Sequence, residues 1–428
     1  MNTLLIFSVA FLATVVAIAG LMPLARAIGL VDRPSNRKKH TGNVPLVGGI
    51  GIFVATALVS ALVGPPAGWP GLLLGAGFLL AVGVKDDLSR ISPKIRLVFQ
   101  TVSIIVVAVW ADATIDWIGF MGPAQTPFGL GWMALPFTVF AGVGLVNAVN
   151  MSDGLDGLCG TLALVALGAL GVVAAVAGRI EELTLIVILA GAVAGFLAFN
   201  FRFPGRSQGL VFLGDAGSYL LGIALLYLLA RLSAGPQPAM SPVTALWIML
   251  VPLFDTVGMM LRRMKKGRSI LAADREHIHH VFLLAKFTVS ETVLIMAAIA
   301  AVAAGIGITA WYGAVPAALM LALFLLLAAG YYRMNMRAWK LMRFLSRSIC
   351  RRVGTSDRRV RERRVSNDTS VVEQLGYDRR SGLDRRKVTD RRQSGAKAPA
   401  FGTRAPLGQH REVLDPAARR RPRKAKAT

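Results

Sequence analysis

Two adjacent aspartates, Asp86 and Asp87, follow Lys85 at the end of an apolar stretch and precede the run Ser92-Pro93-Lys94. Paired carboxylates among cations suit either an interfacial salt-bridge set or a site for a divalent ion and an acceptor phosphate. A second cluster reads Asn147-Ala-Val-Asn150-Met-Ser-Asp153-Gly154-Leu-Asp156-Gly157. Asn147 and Asn150 share a face if helical, and Asp153 and Asp156 repeat the offset. Gly154 and Gly157 let backbone approach a ligand. Oxygen groups converging in this way suit Mg²⁺ and a nucleotide base, more than a turn that only caps two helices would require. A third group, Phe212-Leu213-Gly214-Asp215-Ala216-Gly217-Ser218, places one acid among glycines at a helix start. Taken alone it reads as an N-cap, and the same helix start would offer free N–H groups to phosphate oxygens. The fourth, Asp274-Arg275-Glu276-His277-Ile278-His279-His280, gathers three of the five histidines beside an arginine. It lacks the companion thiolates or carboxylates of common zinc sites, and Arg275 with imidazole donors suits a pyrophosphate.

These groups are carried by a strongly apolar chain. Of 428 residues, 54% are apolar and 17% charged, and the mean hydropathy is +0.58, which excludes an ordinary soluble enzyme. Eleven apolar runs lie near residues 3–25, 46–64, 68–84, 95–115, 132–150, 158–178, 183–201, 213–231, 242–262, 288–310 and 314–333. Each approaches the ~20 residues a helix needs to cross a bilayer. The first starts Met-Asn-Thr without a basic leader and reads as a span, not a signal peptide. With eleven spans, eighteen loop cations fall on one side and two, Arg179 and Arg231, on the other. Basic loops mark the cytoplasmic side. The expected fold is therefore an all-α polytopic membrane protein of about eleven transmembrane helices (residues 1–335), with the N-terminus outside and the acidic clusters on the cytoplasmic face.

Charge divides the chain unevenly. Residues 333–428 hold 28 Lys and Arg against nine acids, more than half of the excess behind the net charge of +25. Residues 336–428 are expected to form a mostly disordered basic cytoplasmic tail, in which Asp-Arg-Arg recurs at Asp357, Asp378, Asp384 and Asp390. A solvated spacer is its plainest reading, anionic lipid headgroups are the next, and docking to a partner enzyme or adventitious nucleic acid is a third, with no signal for a specific nucleic acid. Two cysteines, Cys159 and Cys350, cannot make a thiolate metal site or a disulfide framework.

The four clusters, in this order, resemble those of the polyprenyl-phosphate N-acetylhexosamine-1-phosphate transferases of the WecA and TagO type, glycosyltransferase family 4, in the superfamily that also holds MraY. The run Gly29-Leu30-Val31-Asp32-Arg33-Pro34, then Arg37-Lys38-Lys39-His40 and Pro45-Leu46-Val47-Gly48-Gly49, is similar to that family's first cytoplasmic loop. The resemblance covers about residues 3–335. It implies transfer of a sugar 1-phosphate, expected to be N-acetylglucosamine 1-phosphate, from a UDP-sugar to undecaprenyl phosphate in the bacterial inner membrane. UMP is released, with Mg²⁺ or Mn²⁺ as cofactor, and the lipid-linked sugar starts an envelope polysaccharide. It further implies Asp215 as metal ligand with Asn150 or Asp153 as companion, and Asp86 and Asp87 as the acid pair discussed as base or nucleophile. Asp153 is counted with them as catalytic. Asn147, Asp156, Lys94, Arg275, His277, His279 and His280 are the expected substrate-binding set. A homodimer is compatible with this family.

The rival class is an ion-coupled transporter, whose acids would sit near the bilayer midplane in broken helices. The acids here crowd one membrane face instead, with Asp255 as the exception: in Val251-Pro252-Leu253-Phe254-Asp255-Thr256 it falls inside the ninth run, about two turns from Arg262. It reads equally as a functional group or a helix-packing partner.

Overall fold

The computed structural model describes residues 2–34, 42–65, 68–121, 126–235, 237–265, 267 and 277–337. Helices dominate because a backbone in lipid must satisfy its polar groups within each segment. They are α1 (Thr3–Ile28), α2 (Gly48–Val63), α3 (Trp69–Ser89), α4 (Pro93–Trp110), α5 (Ala134–Met151), α6 (Leu158–Val176) and α7 (Ile180–Asn200). Then follow α8 (Gly214–Ser233), α9 (Pro242–Ile248), α10 (Leu250–Lys265), α11 (Ile278–Leu284), α12 (Val289–Tyr312) and α13 (Ala317–Met336). Their starts carry local signals. Ser92 and Ser241 cap helices that open on proline, and Thr288 and Glu291 form a capping box on α12.

Every expected apolar run is helical, but the count of eleven crossings is not reached by length and composition. Among the described residues eight helices are long and apolar enough to cross a membrane, and a ninth crossing arises if α9 and α10 form one span bent by 81°. α2 has 16 residues, a rise of about 24 Å at 1.5 Å per residue, against a hydrocarbon core of about 30 Å. The last turns of α3 carry Lys85, Asp86 and Asp87. The α9–α10 bend has a covalent cause: Pro252 has no N–H to donate to Ile248, so the helical ladder breaks beside Met249.

Two short antiparallel ladders were not foreseen. β1 (Val31–Asp32) pairs with β2 (Val44–Pro45), and β3 (Trp117–Met121) with β4 (Thr126–Gly129). The second hairpin is pinned to the end of α8, where Trp117 Nε1 donates to the Ser233 carbonyl at 2.6 Å.

α8 is the axis of the bundle. It packs against α2, α3, α5, α6 and α7, and 94% of its apolar stretch is buried, against 22% for α1 and 17% for α13. Small residues allow this approach. Gly49 of α2 lies against the backbone of Gly217, and Gly83 of α3 against the backbone of Ala216. Phe212, just ahead of α8, exchanges backbone bonds with Pro45 and Gly48 at 3.0 and 3.1 Å, so the first polar loop clamps the start of the central helix.

Candidate active site

The site is built on the N-terminus of α8. Gly214 holds φ at +74°, and a Cβ there would come 2.5 Å from Asp87 Oδ2, so only glycine fits. The residue preceding the helix, Leu213, offers no capping side chain. Asp87 supplies the cap from α3: the Asp215 and Ala216 N–H groups donate to its Oδ1 and Oδ2 at 3.0 and 3.3 Å. This corrects two expectations. Asp215 is not the cap of its own helix, and two N–H groups expected to be open to phosphate are already bonded to Asp87.

Relieved of capping, the Asp215 side chain receives Asn150 Nδ2 on its Oδ1 at 2.7 Å, and the same amide donates to Ser218 Oγ at 2.8 Å. Asn147, one turn earlier on α5, donates to Gln100 Oε1 of α4 and to the Val143 carbonyl, each at 2.8 Å. Asp86, beside Asp87, is only 4% exposed. It accepts from the Ile91 N–H at 2.6 Å, Arg96 Nη1 at 3.0 Å and Tyr219 OH at 3.3 Å. Residues 128 positions apart in the chain thus meet at one helix end. Asp86, Asp87 and Asp215 lie close enough for their charges to interact.

The turn after α5 has a different role for each acid. Asp156 Oδ2 accepts Arg202 Nε at 2.7 Å and the Gly209 N–H at 2.9 Å, tying the turn to the segment between α7 and α8. Gly157, at φ +85°, donates its N–H to Asn200 Oδ1 at 2.7 Å. The Asp153 backbone N–H donates to the Asn150 carbonyl at 3.2 Å, continuing from the end of α5. Gly154 faces α11: a Cβ on it would lie 2.6 Å from His279 Nε2.

The histidines arrive from the start of α11. His277 Nδ1 lies 2.8 Å from Asp255 Oδ2, and the Ile278 N–H donates to Asp255 Oδ1 at 3.0 Å. The rings of His277 and His279 stack at 5.3 Å with planes 3° apart, and His280 lies 4.3 Å from His279. His279 is 1% exposed, and among the described residues neither ring nitrogen has a hydrogen-bond partner. Burial holds its imidazole well below the ordinary histidine range; His280 and His277 push the same way, and Asp255 opposes them.

The expected residues Asp86, Asp87, Asn150 and Asp215 are therefore in one assembly, whereas Asn147, one turn before Asn150, bonds Gln100 of α4 instead. His279 meets the Asp153–Asp156 turn at Gly154. Lys94 is exposed on the first turn of α4. Arg275, with Asp274, Glu276, Arg37, Lys38, Lys39, His40 and the tail, lies outside the described residues. Gln100, Arg96, Ser218, Tyr219, Asn200 and Arg202 were not singled out as site residues. For Gln100 and Asn200 the signal was available, since each is an amide in a mostly apolar helix.

Around α8 the donors are carboxylate and amide oxygens, the set a hard divalent cation takes. Among the described residues no three His, Cys, Asp or Glu side chains form a ready metal cage. An ion that keeps water and takes one or two carboxylates plus substrate phosphates, as Mg²⁺ does, needs no such cage.

The family model for glycosyl transferase family 4 matches residues 69–233, from the start of α3 to the end of α8. An undecaprenyl-phosphate alpha-N-acetylglucosaminyl 1-phosphate transferase of Salmonella typhimurium is 39% identical over 83% of this chain and 95% of its own length. Proteins of the same name from Escherichia coli K12 and Haemophilus influenzae are 37% and 35% identical, each over 79% of this chain, covering 92% and 96% of their own lengths. The ion-coupled transporter finds no support among these relatives, and by sequence the chain belongs to glycosyl transferase family 4.

Proposed function

We propose that the protein transfers N-acetylglucosamine 1-phosphate from its UDP-linked donor to undecaprenyl phosphate, releasing UMP. The observation that carries this is the meeting of Asp86, Asp87, Asn150 and Asp215 at the buried start of α8, in a chain whose relatives bear the name of that activity. The orientation follows the loop cations, so this end of the bundle faces the cytoplasm. The membrane is the bacterial inner membrane.

Attack of one phosphate on another must overcome like charge, and oxygen ligands suited to Mg²⁺ or Mn²⁺ are present in Asp215 and Asn150, with Asp153 nearby in sequence. When bound, the ion would supply Lewis-acid stabilisation of charge on the donor pyrophosphate. Asp87 holds the N-terminus of α8 in place, which fixes the Asp215 carboxylate relative to Asn150. Asp86 is held by three donors, one of them from Arg96, and serves placement of the acceptor headgroup. A phosphate monoester with a second pKa near ~6 is mostly dianionic at neutral pH, so proton removal is a small requirement. Direct in-line attack by the lipid phosphate is therefore favoured over a covalent aspartyl intermediate. Arg275 and the histidine segment take the donor pyrophosphate, and the exposed Lys94 is a further substrate-binding cation.

The test is purified protein with undecaprenyl phosphate, Mg²⁺ and a panel of UDP-sugars, scored for UMP and lipid-linked product. UDP-N-acetylglucosamine should be consumed in preference to UDP-glucose. Absence of UMP with every N-acetylated donor overturns the assignment.

A further inference from the structure

Asp255 is an acid that the transfer chemistry does not absorb. It lies in α10, just past the 81° bend, and is 3% exposed. Its two oxygens join three segments. Oδ2 meets His277 Nδ1 at 2.8 Å, whereas Oδ1 accepts the Ile278 N–H at 3.0 Å and Tyr331 OH of α13 at 3.1 Å. One turn further along α10, Gly258 leaves room for the Tyr331 ring, since a Cβ there would lie 2.9 Å from its Cε1. Another turn on, Arg262 Nη1 donates to Asn335 Oδ1 at 3.4 Å. Asp255, Gly258 and Arg262 thus form one face of α10 turned to Tyr331 and Asn335, which are themselves one turn apart on α13.

Packing of helices would not require a carboxylate at the end of this face. An ionised carboxylate only accepts, so its partner nitrogen must carry hydrogen. In contact with Nδ1 it fixes the His277 ring in rotation and leaves Nε2 as the ring nitrogen available to a ligand. The parallel ring of His279 lies against one face of the imidazole. We propose that Asp255 is a positioning residue for donor handling: it sets the hydrogen on Nδ1 and the orientation of His277, and Tyr331 in turn holds Asp255. Through this contact the last helix of the bundle shapes the donor site. The inference rests on the proposed transfer reaction and on His277 meeting the UDP-sugar.

The experiment is a double-mutant cycle on the full chain in detergent, using Asp255→Asn, His277→Ala and the pair. Asparagine keeps the shape and can still serve the Ile278 N–H, but then turns its amide N–H toward Nδ1 and reverses the histidine tautomer. Such a reversal cost about 10⁴-fold in a serine protease triad, and a loss of at least about 10-fold in kcat/KM is expected where, as here, the histidine's role is to orient the donor. The loss should appear with UDP-N-acetylglucosamine as the varied substrate while the KM for undecaprenyl phosphate stays unchanged, and Asp255→Asn should add nothing once His277 is alanine. Tyr331→Phe with His277→Ala forms a second cycle, with a smaller loss of the same non-additive kind, and stands in if Asp255→Asn does not fold. Additive losses, or equal changes in both KM values, with the wild type active overturn the positioning role alone. A wild type that forms no UMP removes the transfer reading, and the inference falls with it.

Discussion

Replacing Asp87 by alanine tests whether this carboxylate is first of all the cap of the central helix. The substitution leaves the Asp215 and Ala216 N–H groups, now bonded at 3.0 and 3.3 Å, without their partner at a largely buried helix start. Hydrogen bonds to a charged group contribute about 1.5–3 kcal/mol each, so the pair amounts to about 3–6 kcal/mol. Water entering the vacated space recovers part of this, and about 3 kcal/mol is the expected net loss. Asparagine, which keeps one oxygen for one N–H, should lose about half as much. Unfolding would be followed in detergent by tryptophan fluorescence against added denaturant, with chelator present so that no divalent ion contributes. A further variant sharpens the result: Gly214→Ala places a methyl 2.5 Å from Asp87 Oδ2 at a φ of +74°. Combined with Asp87→Ala, the clash disappears and only the cost of positive φ, about 1–2 kcal/mol, remains. The two changes together should therefore cost less than their sum. An Asp87→Ala protein within about 1 kcal/mol of wild type would refute the cap as a net stabilising contact.

Asp215→Ala should abolish UMP release at any practical Mg²⁺ concentration, since the oxygen that Asn150 orients is lost; retention of a tenth of wild-type turnover would reduce Asp215 to a structural residue. His279 gives a pH signature. Its folded-state pKa is depressed by burial, so the unfolded chain binds a proton that the folded chain does not. Stability should then fall as pH drops below about 6.5, by up to about 1.4 kcal/mol per pH unit, until the depressed folded value is reached. The groups around it are His277, His280 and Asp255, and His279→Leu should flatten that limb in a series of denaturation midpoints from pH 7.5 to 5; an unchanged slope would place the proton elsewhere. A peptide of residues 347–428 should bind anionic vesicles and release with added salt, at about 1 kcal/mol per basic residue held near the surface. Equal binding to zwitterionic vesicles would reject the lipid partner.

The acids and amides of the site were legible because an apolar helix has no other use for them. Asp86, Asp87, Asn150 and Asp215 stand out in sequence and meet in space. Their individual bonds were not legible. Asp87 caps a helix 128 residues away, and Asp156 pairs with Arg202 across 46 residues; both depend on tertiary packing that no local spacing encodes. Asp255 was open between two roles because its partner, His277, lies in a different segment. Hydropathy found the helices, but it does not register the missing N–H of Pro252 that bends α9 against α10. The β3–β4 hairpin was hidden by its shortness, one strand having five residues and the other four.

The contacts of Gly49 with Gly217, and of Gly83 with Ala216, are between backbones. A glycine packed on a bulky side chain can be enlarged if the neighbour shrinks. Packed on main chain, it has no such compensating partner, because a backbone cannot be made smaller. The start of α8 is thus closed to stepwise variation from either side. New donor or acceptor preferences would have to evolve in the polar loops around it, while the frame that carries Asp215 is inherited whole.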